Sequence, residues 1–217
     1  MRKILAVLLA LLMTVLAGCD KTIADEENNT TEENNILKEF SLSDDWTDLE
    51  FVFGNEKFSF PLFYQDLNKK GWQLEENDDL AAQEFTFNFY KMWNSSFYDE
   101  NQDLYAYIYV NFQNDENETK KIKDCNIWSI ALFKIDDEVS DKGYEIELSK
   151  GIKWGSTEEE IVAAYGPVEE NYRIDNGEDV CILVYYSLIS DMMVQMNMHI
   201  YYDGGLYMIE LFRYPVE

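Results

Sequence analysis

The chain has 217 residues, enough for one domain or two small ones with a sizeable core. Apolar residues make up 47% and aromatics 15%, which excludes a disordered chain; 17 basic against 43 acidic residues give a net charge of −26, which opposes binding to phosphate backbones, so no nucleic-acid partner is expected. One histidine and three cysteines exclude most histidine-based catalysis and every Cys/His zinc framework.

Arg2 and Lys3 precede an apolar run over residues 4–15 that only Thr14 interrupts. The run is short for a permanent membrane span and suits the apolar core of a signal peptide, so residues 1–18 are predicted to be a targeting segment. It ends in Leu16-Ala17-Gly18-Cys19, which resembles a bacterial lipobox. That resemblance implies transfer of a diacylglyceryl group to the Cys19 thiol and cleavage before Cys19. The mature protein would then be lipid-anchored to the cell membrane on its extracytoplasmic face. The alternative is an ordinary secretory signal with a chance cysteine. Asp20 resembles an inner-membrane retention signal if the host is Gram-negative. Residues 19–40 are rich in Asp, Glu, Asn and Thr without a periodic apolar face, and read as an acidic, disordered tether.

The remainder divides into two similar halves, 41–142 and 143–217. Around Gly71 the chain reads KKGWQLEEN and around Gly166 AYGPVEEN, an offset of 95 residues that also carries Phe85, Phe87 and Phe89 onto Val180, Ile182 and Val184. In the first half Pro61 opens a helical pattern in which Phe63 and Leu67 lie one turn apart, closed by Lys69-Lys70-Gly71. In the second, Ser156 and Glu159 read as a capping box, Ile161 and Tyr165 share a face, and Gly166-Pro167 ends the helix. Each helix is followed by strand-like runs of period two. Leu104, Ala106, Ile108, Val110 and Phe112 would face the helices, with Tyr105, Tyr107, Tyr109 and Asn111 opposite. Val194, Met196, Met198 and Ile200 would likewise face in, leaving Gln195, Asn197, His199 and Tyr201 out. Asp203-Gly204-Gly205 is a tight turn into a last strand over 206–212. The predicted fold is therefore α+β, built of tandem helix-plus-antiparallel-sheet repeats with the helices on one face of the sheet.

Gly155-Ser156-Thr157, Ile161 and Tyr165-Gly166-Pro167 resemble the helix signature of small bacterial lipoproteins of the SmpA/OmlA type, and the tandem repeats of beta-lactamase-inhibitor-protein-like domains. The chain departs from that pattern by setting Pro167 directly after Gly166, and its first half lacks the Gly and Thr. The resemblance covers about twenty residues and implies a protein-binding or assembly role without chemistry.

Candidate sites follow from this strand alternation. His199, the single histidine, lies on the open face without a neighbouring nucleophile. Met192, Met193, Met196 and Met198 suggest a soft-metal run, but alternation divides them from His199, and no metal or other cofactor is expected. The acidic segment 175–179 comes nearest a calcium loop yet lacks its spacing. Cys125 and Cys181 lack the charged neighbours of a reactive thiol, and the sequence leaves their pairing open. The open-face tyrosines are the binding candidates: Tyr105, Tyr107 and Tyr109 line one strand, with Tyr90, Tyr185 and Tyr201 as candidates to join them, and the alternative is that a loop or another sheet covers them as a third layer. Such residues suit a protein interface or a sugar-stacking platform. The predicted function is a non-enzymatic module that binds an envelope protein through Tyr105, Tyr107, Tyr109 and His199. A glycan-binding lipoprotein using the same residues, with Asn111 and Gln195 beside them, is the alternative. A cell-wall hydrolase with paired carboxylates is a further rival.

Overall fold

The computed structural model describes residues 40–75, 81–83, 87–99, 104–134 and 145–216, with backbone alone for 87–88, 95–99, 104–106 and 171. All of them belong to one compact unit, Leu37–Glu217. In chain order the elements are β1 (Phe51–Phe53), β2 (Glu56–Phe58), β3 (Leu62–Phe63), α1 (Tyr64–Asn68), β4 (Trp72–Leu74), β5 (Ala81–Ala82), β6 (Phe87–Asp99), β7 (Leu104–Gln113), β8 (Lys120–Lys121) and β9 (Asn126–Phe133). There follow β10 (Ile146–Leu148), α2 (Glu158–Tyr165), β11 (Arg173–Asp175), β12 (Val180–Ile189), β13 (Met192–Tyr201) and β14 (Gly205–Pro215).

A nine-stranded antiparallel sheet dominates, in the order β11-β12-β13-β14-β9-β7-β6-β4, with β3 also paired to β9. Its two halves meet where β14 pairs with β9, Met208 opposite Phe133 and Phe212 opposite Ser129. The sheet is thus continuous through both halves of the chain. A three-stranded sheet, β10-β1-β2, joins Ile146 from beyond position 142 to Phe53 from before it.

This corrects the expectation of α+β tandem helix-plus-sheet repeats: the fold is mostly antiparallel β-sheet. The helical patterns do fold as helices, but α1 has 5 residues and α2 has 8, too few to form a layer of their own. The apolar core is shared with the β10-β1-β2 sheet, whose Phe51, Phe53, Phe58 and Ile146 belong to the same buried cluster as Ile108, Met198 and Leu211. Phe53 stacks on Trp72 of β4 at 5.7 Å between ring centres.

A helix as short as α2 holds through its contacts. Ile161 is fully buried, which contributes about 1.5–3 kcal/mol, and Tyr165 packs edge-on against Tyr185 of β12 at 5.6 Å. The cap is Thr157, not Ser156: Thr157 Oγ1 accepts from Glu160 N at 3.2 Å and Glu160 Oε2 accepts from Thr157 N at 2.9 Å. Ser156 is kept out of the helix because its carbonyl accepts from Leu206 N at 2.8 Å while Gly155 N donates to Leu206 O at 2.9 Å. In α1 the buried residues are Tyr64 and Leu67, whereas Phe63 is exposed, so the apolar face lies one position beyond the predicted one.

The clamp between 155–156 and Leu206 brings two backbones together at Gly205, where φ is +70 and a Cβ would overlap the Gly155 carbonyl. Gly205→Ala is therefore expected to lower the unfolding free energy by about 2–4 kcal/mol in urea titration, while Gly204→Ala, which meets only the Tyr201 side chain, loses under about 1 kcal/mol. Equal losses would contradict the clamp.

Candidate functional site

Strand alternation decides which side chains the core leaves over. In β13, Val194, Met196, Met198 and Ile200 are buried and Gln195, Asn197, His199 and Tyr201 turn outward; in β7, Ile108 and Val110 are buried opposite Tyr107 and Tyr109. Pairing sets these outward residues in rows. One row runs Tyr186, Gln195, Phe212, Ser129, Asn111 and Phe89, from β12 across to β6.

Two of the sheet's three register shifts, those in β9 and β14, each add an aromatic ring to this face. Asn111 pairs with Ser129 but Phe112 pairs with Ile127, so Trp128 is an extra residue in β9. Ile127 and Ile130 face the core, and Trp128 and Ser129 both line the open side. Likewise His199 pairs with Met208 and Ile200 with Leu206, which leaves Tyr207 extra in β14. Tyr207 stacks on Tyr201 at 4.0 Å and meets His199 edge-on at 6.2 Å. Toward β6, Tyr107, Tyr109 and Phe133 pack together with ring centres 5.6 to 6.0 Å apart, and the Lys91 ammonium sits 4.7 Å from the Tyr107 ring centre.

A polar chain runs between these aromatic groups. Glu210 Oε2 lies 3.1 Å from His199 Nε2 and accepts from Asn197 Nδ2 at 3.0 Å; Gln195 Nε2 donates to Asn197 Oδ1 at 2.8 Å. The hydrogen bond from His199 holds the Glu210 carboxyl below its ordinary value of 4.5, against the opposing effect of burial, and Asn197 adds to the lowering. An ionised carboxylate only accepts. Asn197 must therefore present its amide nitrogen to Glu210, which turns its oxygen toward Gln195 and obliges Gln195 to donate.

The chain ends at a recess of about 380 Å³ lined by Asn111, Trp128, Ser129, Gln195, Phe212 and Tyr214. It lies over the join of β9 and β14, and both sides supply its walls. Ser129 leaves the dip between larger neighbours, and the Trp128 and Tyr214 rings lie nearly parallel at 6.0 Å. Asn111 is 1% exposed, and among the described residues neither its Nδ2 nor its Oδ1 has a hydrogen-bond partner. A buried unpaired amide costs about 1–3 kcal/mol, which marks this group as unusual. A wider trough of about 800 Å³ runs along 150–156 beside α2, but its polar groups are engaged: Lys150 Nζ donates to Ala164 O and Ser156 Oγ accepts from Lys153 N.

Of the residues singled out by sequence, Tyr107, Tyr109 and His199 share the open face, with Tyr109 exposed and the other two half-buried. Tyr105 belongs to β7, but its side chain lies outside the described residues, as do Cys19, the lipobox and the tether up to residue 39. Tyr201 is on the open face. Tyr90 and Tyr185 are not: Tyr90 packs on Phe112 and Tyr185 on Tyr165, both toward the core. Cys125 and Cys181 are free and buried, and burial pushes the Cys181 thiol up to about 11. Asp175 accepts from Arg173 at 2.6 Å and from the Tyr202 hydroxyl at 2.6 Å, so it ties β11 to the end of β13. Among the described residues no group of three or more His, Cys, Asp or Glu side chains is placed to hold a metal ion, and no helix is long and apolar enough to cross a membrane. The sequence reading passed over Trp128, Ser129, Glu210, Phe212 and Tyr214. The run Ile127-Trp128-Ser129-Ile130, two outward residues between two inward ones, is the signal that marks the bulge. No family model matches the chain, nor does any curated protein or solved structure.

Because the folded pKa of Glu210 lies below its unfolded value, its pairing stabilises the fold above about pH 4.5 and is lost as the pH falls through the lower value. The stability gap between the native protein and Glu210→Gln is expected to be largest near neutral pH and to narrow toward pH 3 in urea titration. A gap independent of pH would contradict the pairing.

Proposed function

We propose that the protein is a lipoprotein tethered through Cys19 to the extracytoplasmic face of the cell membrane, and that it binds an envelope protein through the open face of the nine-stranded sheet without catalysing a reaction. The observation that carries this reading is the contiguous outward surface of Tyr107, Tyr109, Phe133, Tyr201 and Tyr207 around a polar centre. Rigid aromatic rings with polar tips provide contact area at low conformational cost, and the central recess offers an anchor point. The absence of chemistry is supported by the placement of reactive groups: His199 is engaged by Glu210, and the Cys125 and Cys181 thiols are buried with raised pKa values. The net charge of −26 favours a partner with a basic patch and keeps the domain off anionic headgroups. Trp128 and Tyr214 beside the amides of Asn111 and Gln195 also suit a sugar ring, which keeps glycan binding as the second reading.

Photo-crosslinking in intact cells tests the proposal. A photoreactive residue at Tyr109 or at Tyr201 is expected to yield the same protein adduct, and one at Glu159 on α2 to yield none. The purified adduct partner should then lose about tenfold or more in affinity on Tyr109→Glu. In the same cells Cys19→Ser should move the protein from the membrane to the soluble fraction. An adduct equally strong at Glu159, an affinity unmoved by Tyr109→Glu, or membrane retention of Cys19→Ser would each overturn its part of the reading.

A further inference from the structure

Alternation places a charge on the core side of β14. Ile209 and Leu211 turn inward and are buried, and Arg213 follows them on the same face, opposite the buried Val194 of β13. The pattern asks for an apolar residue there, and the chain has only three arginines, Arg2, Arg173 and Arg213. Arg173 is held by Glu158 at 2.7 Å and by Asp175 at 2.6 Å. Arg213 has no such carboxylate: among the described residues its one hydrogen bond runs from Nη1 to Phe60 O at 3.2 Å. A guanidinium carries five N–H donors, so most of its fork is unused. The side chain is half-buried and lines a recess of about 440 Å³ beside the loop 60–63. That volume falls in the ordinary range of small-molecule sites, roughly 300–1,000 Å³. The other walls are mostly apolar and include Phe63, which is 46% exposed, with Trp128, Met192 and Pro215. Asp115 is exposed and lines the same recess, but it accepts from Asn126 Nδ2 at 3.4 Å and not from Arg213.

An unused planar fork selects its ligand by charge and by shape. A carboxylate sets two oxygens against two parallel N–H groups, and its single charge balances a single guanidinium. A phosphate dianion would leave a charge uncompensated near Asp115, in a chain of net charge −26. The field of such a chain repels every anion, so an ion pair alone does not hold a ligand here; burial of an apolar body against Phe63 and Trp128 supplies the rest. We infer that this recess binds a monocarboxylate carried on an apolar body, with the carboxylate on the Arg213 fork. A free aromatic or aliphatic acid and an apolar C-terminal residue of a polypeptide share that chemistry. The site goes beyond the protein-binding reading and does not rest on it. A purely structural Arg213 would tie β14 to Phe60 through one N–H, which a lysine also supplies, and would leave the fork without a role.

The test uses the full-length protein in detergent, 15N-labelled on arginine, so that the Nε–H signals come from three residues at most and Arg173 serves as the internal reference. It is titrated, at measured free concentrations, with 3-phenylpropanoate, N-acetylphenylalanine, 3-phenylpropanamide, acetate and inorganic phosphate. The expected result is a saturable shift of the Arg213 signal with the two aromatic acids while Arg173 stays in place, and at least tenfold weaker binding of the amide, acetate and phosphate. Tighter binding of N-acetylphenylalanine would identify a chain terminus as the source, and tighter binding of 3-phenylpropanoate a free acid; both support the site. Arg213→Lys, read by calorimetric titration, should lose about tenfold or more in affinity for the acids with Tm within about 2 °C of the native value. If that variant does not fold, Asp115→Asn, at an exposed position, should strengthen acid binding several-fold by removing a like charge. An equal response to the amide, to acetate or to phosphate, or no shift up to the solubility of the acids, would overturn the inference. So would full affinity in Arg213→Lys, or an unchanged or weaker affinity in Asp115→Asn. The titration uses no partner protein, so its failure is separable from failure of the crosslinking.

Discussion

The antiparallel pairing of residues 208–212 with 129–133 joins a four-stranded group, β11 to β14, to the five strands β9, β7, β6, β4 and β3 in one sheet. Both inward faces then contribute to a single apolar cluster, in which Ile130 and Leu132 of β9 lie beside Ile209 and Leu211 of β14. The outward faces merge as well. The recess exists only because Ser129 and Phe212 are direct partners across this join, with Asn111 behind one and Gln195 behind the other. A slip of one residue in that register would send Phe212 inward and close the site.

Irregularity supplies what the regular sheet does not. An unbroken alternation would place either Trp128 or Ser129 outward, not both, and the same holds for Tyr207 and Met208. The two bulges allow a ring to stand next to a small or flexible residue, which gives relief to an otherwise flat surface. Electrostatics adds direction. One ionised carboxylate, Glu210, orders His199, Asn197 and Gln195 in a single sense, from a place on β14 two residues before Phe212 of the recess. The Asn111 amide is the counterpart: a destabilising group kept in a buried position, where stability alone would favour leucine.

Much of the sheet was legible along the chain. Period-two alternation is strong in β7 and β13, and it assigned Ile108, Val110, Met196 and Met198 to the core and Tyr107, Tyr109 and His199 to the open face. Fold class was misread because helical pattern shows where a helix forms and not what share of the core it covers. The core is completed by β10-β1-β2, in which β1 and β2 form a local hairpin while β1 and β10 pair residues about a hundred positions apart, a contact that no local pattern encodes. Adjacent tyrosines also mislead: Tyr185 and Tyr186 are equivalent by composition, yet the register makes Tyr185 a core residue bonded to Gly166 O and leaves Tyr186 exposed. Ser156 and Thr157 are a similar pair, since both fit a capping box, and a backbone contact with β14 decides between them. The buried, unpaired state of Asn111 arises only in the assembled sheet and has no trace in sequence.

The central claim is that the open face is exposed in the isolated protein and occupied in the cell. Covalent footprinting of tyrosines, read by mass spectrometry, tests it directly when the purified full-length protein is compared with intact cells. The account predicts that Tyr109, Tyr186 and Tyr201 are labelled in the purified protein and protected in cells, while Tyr202, exposed at the turn beyond β13, is labelled in both. Equal labelling of Tyr109, Tyr186 and Tyr201 in the two settings would contradict it.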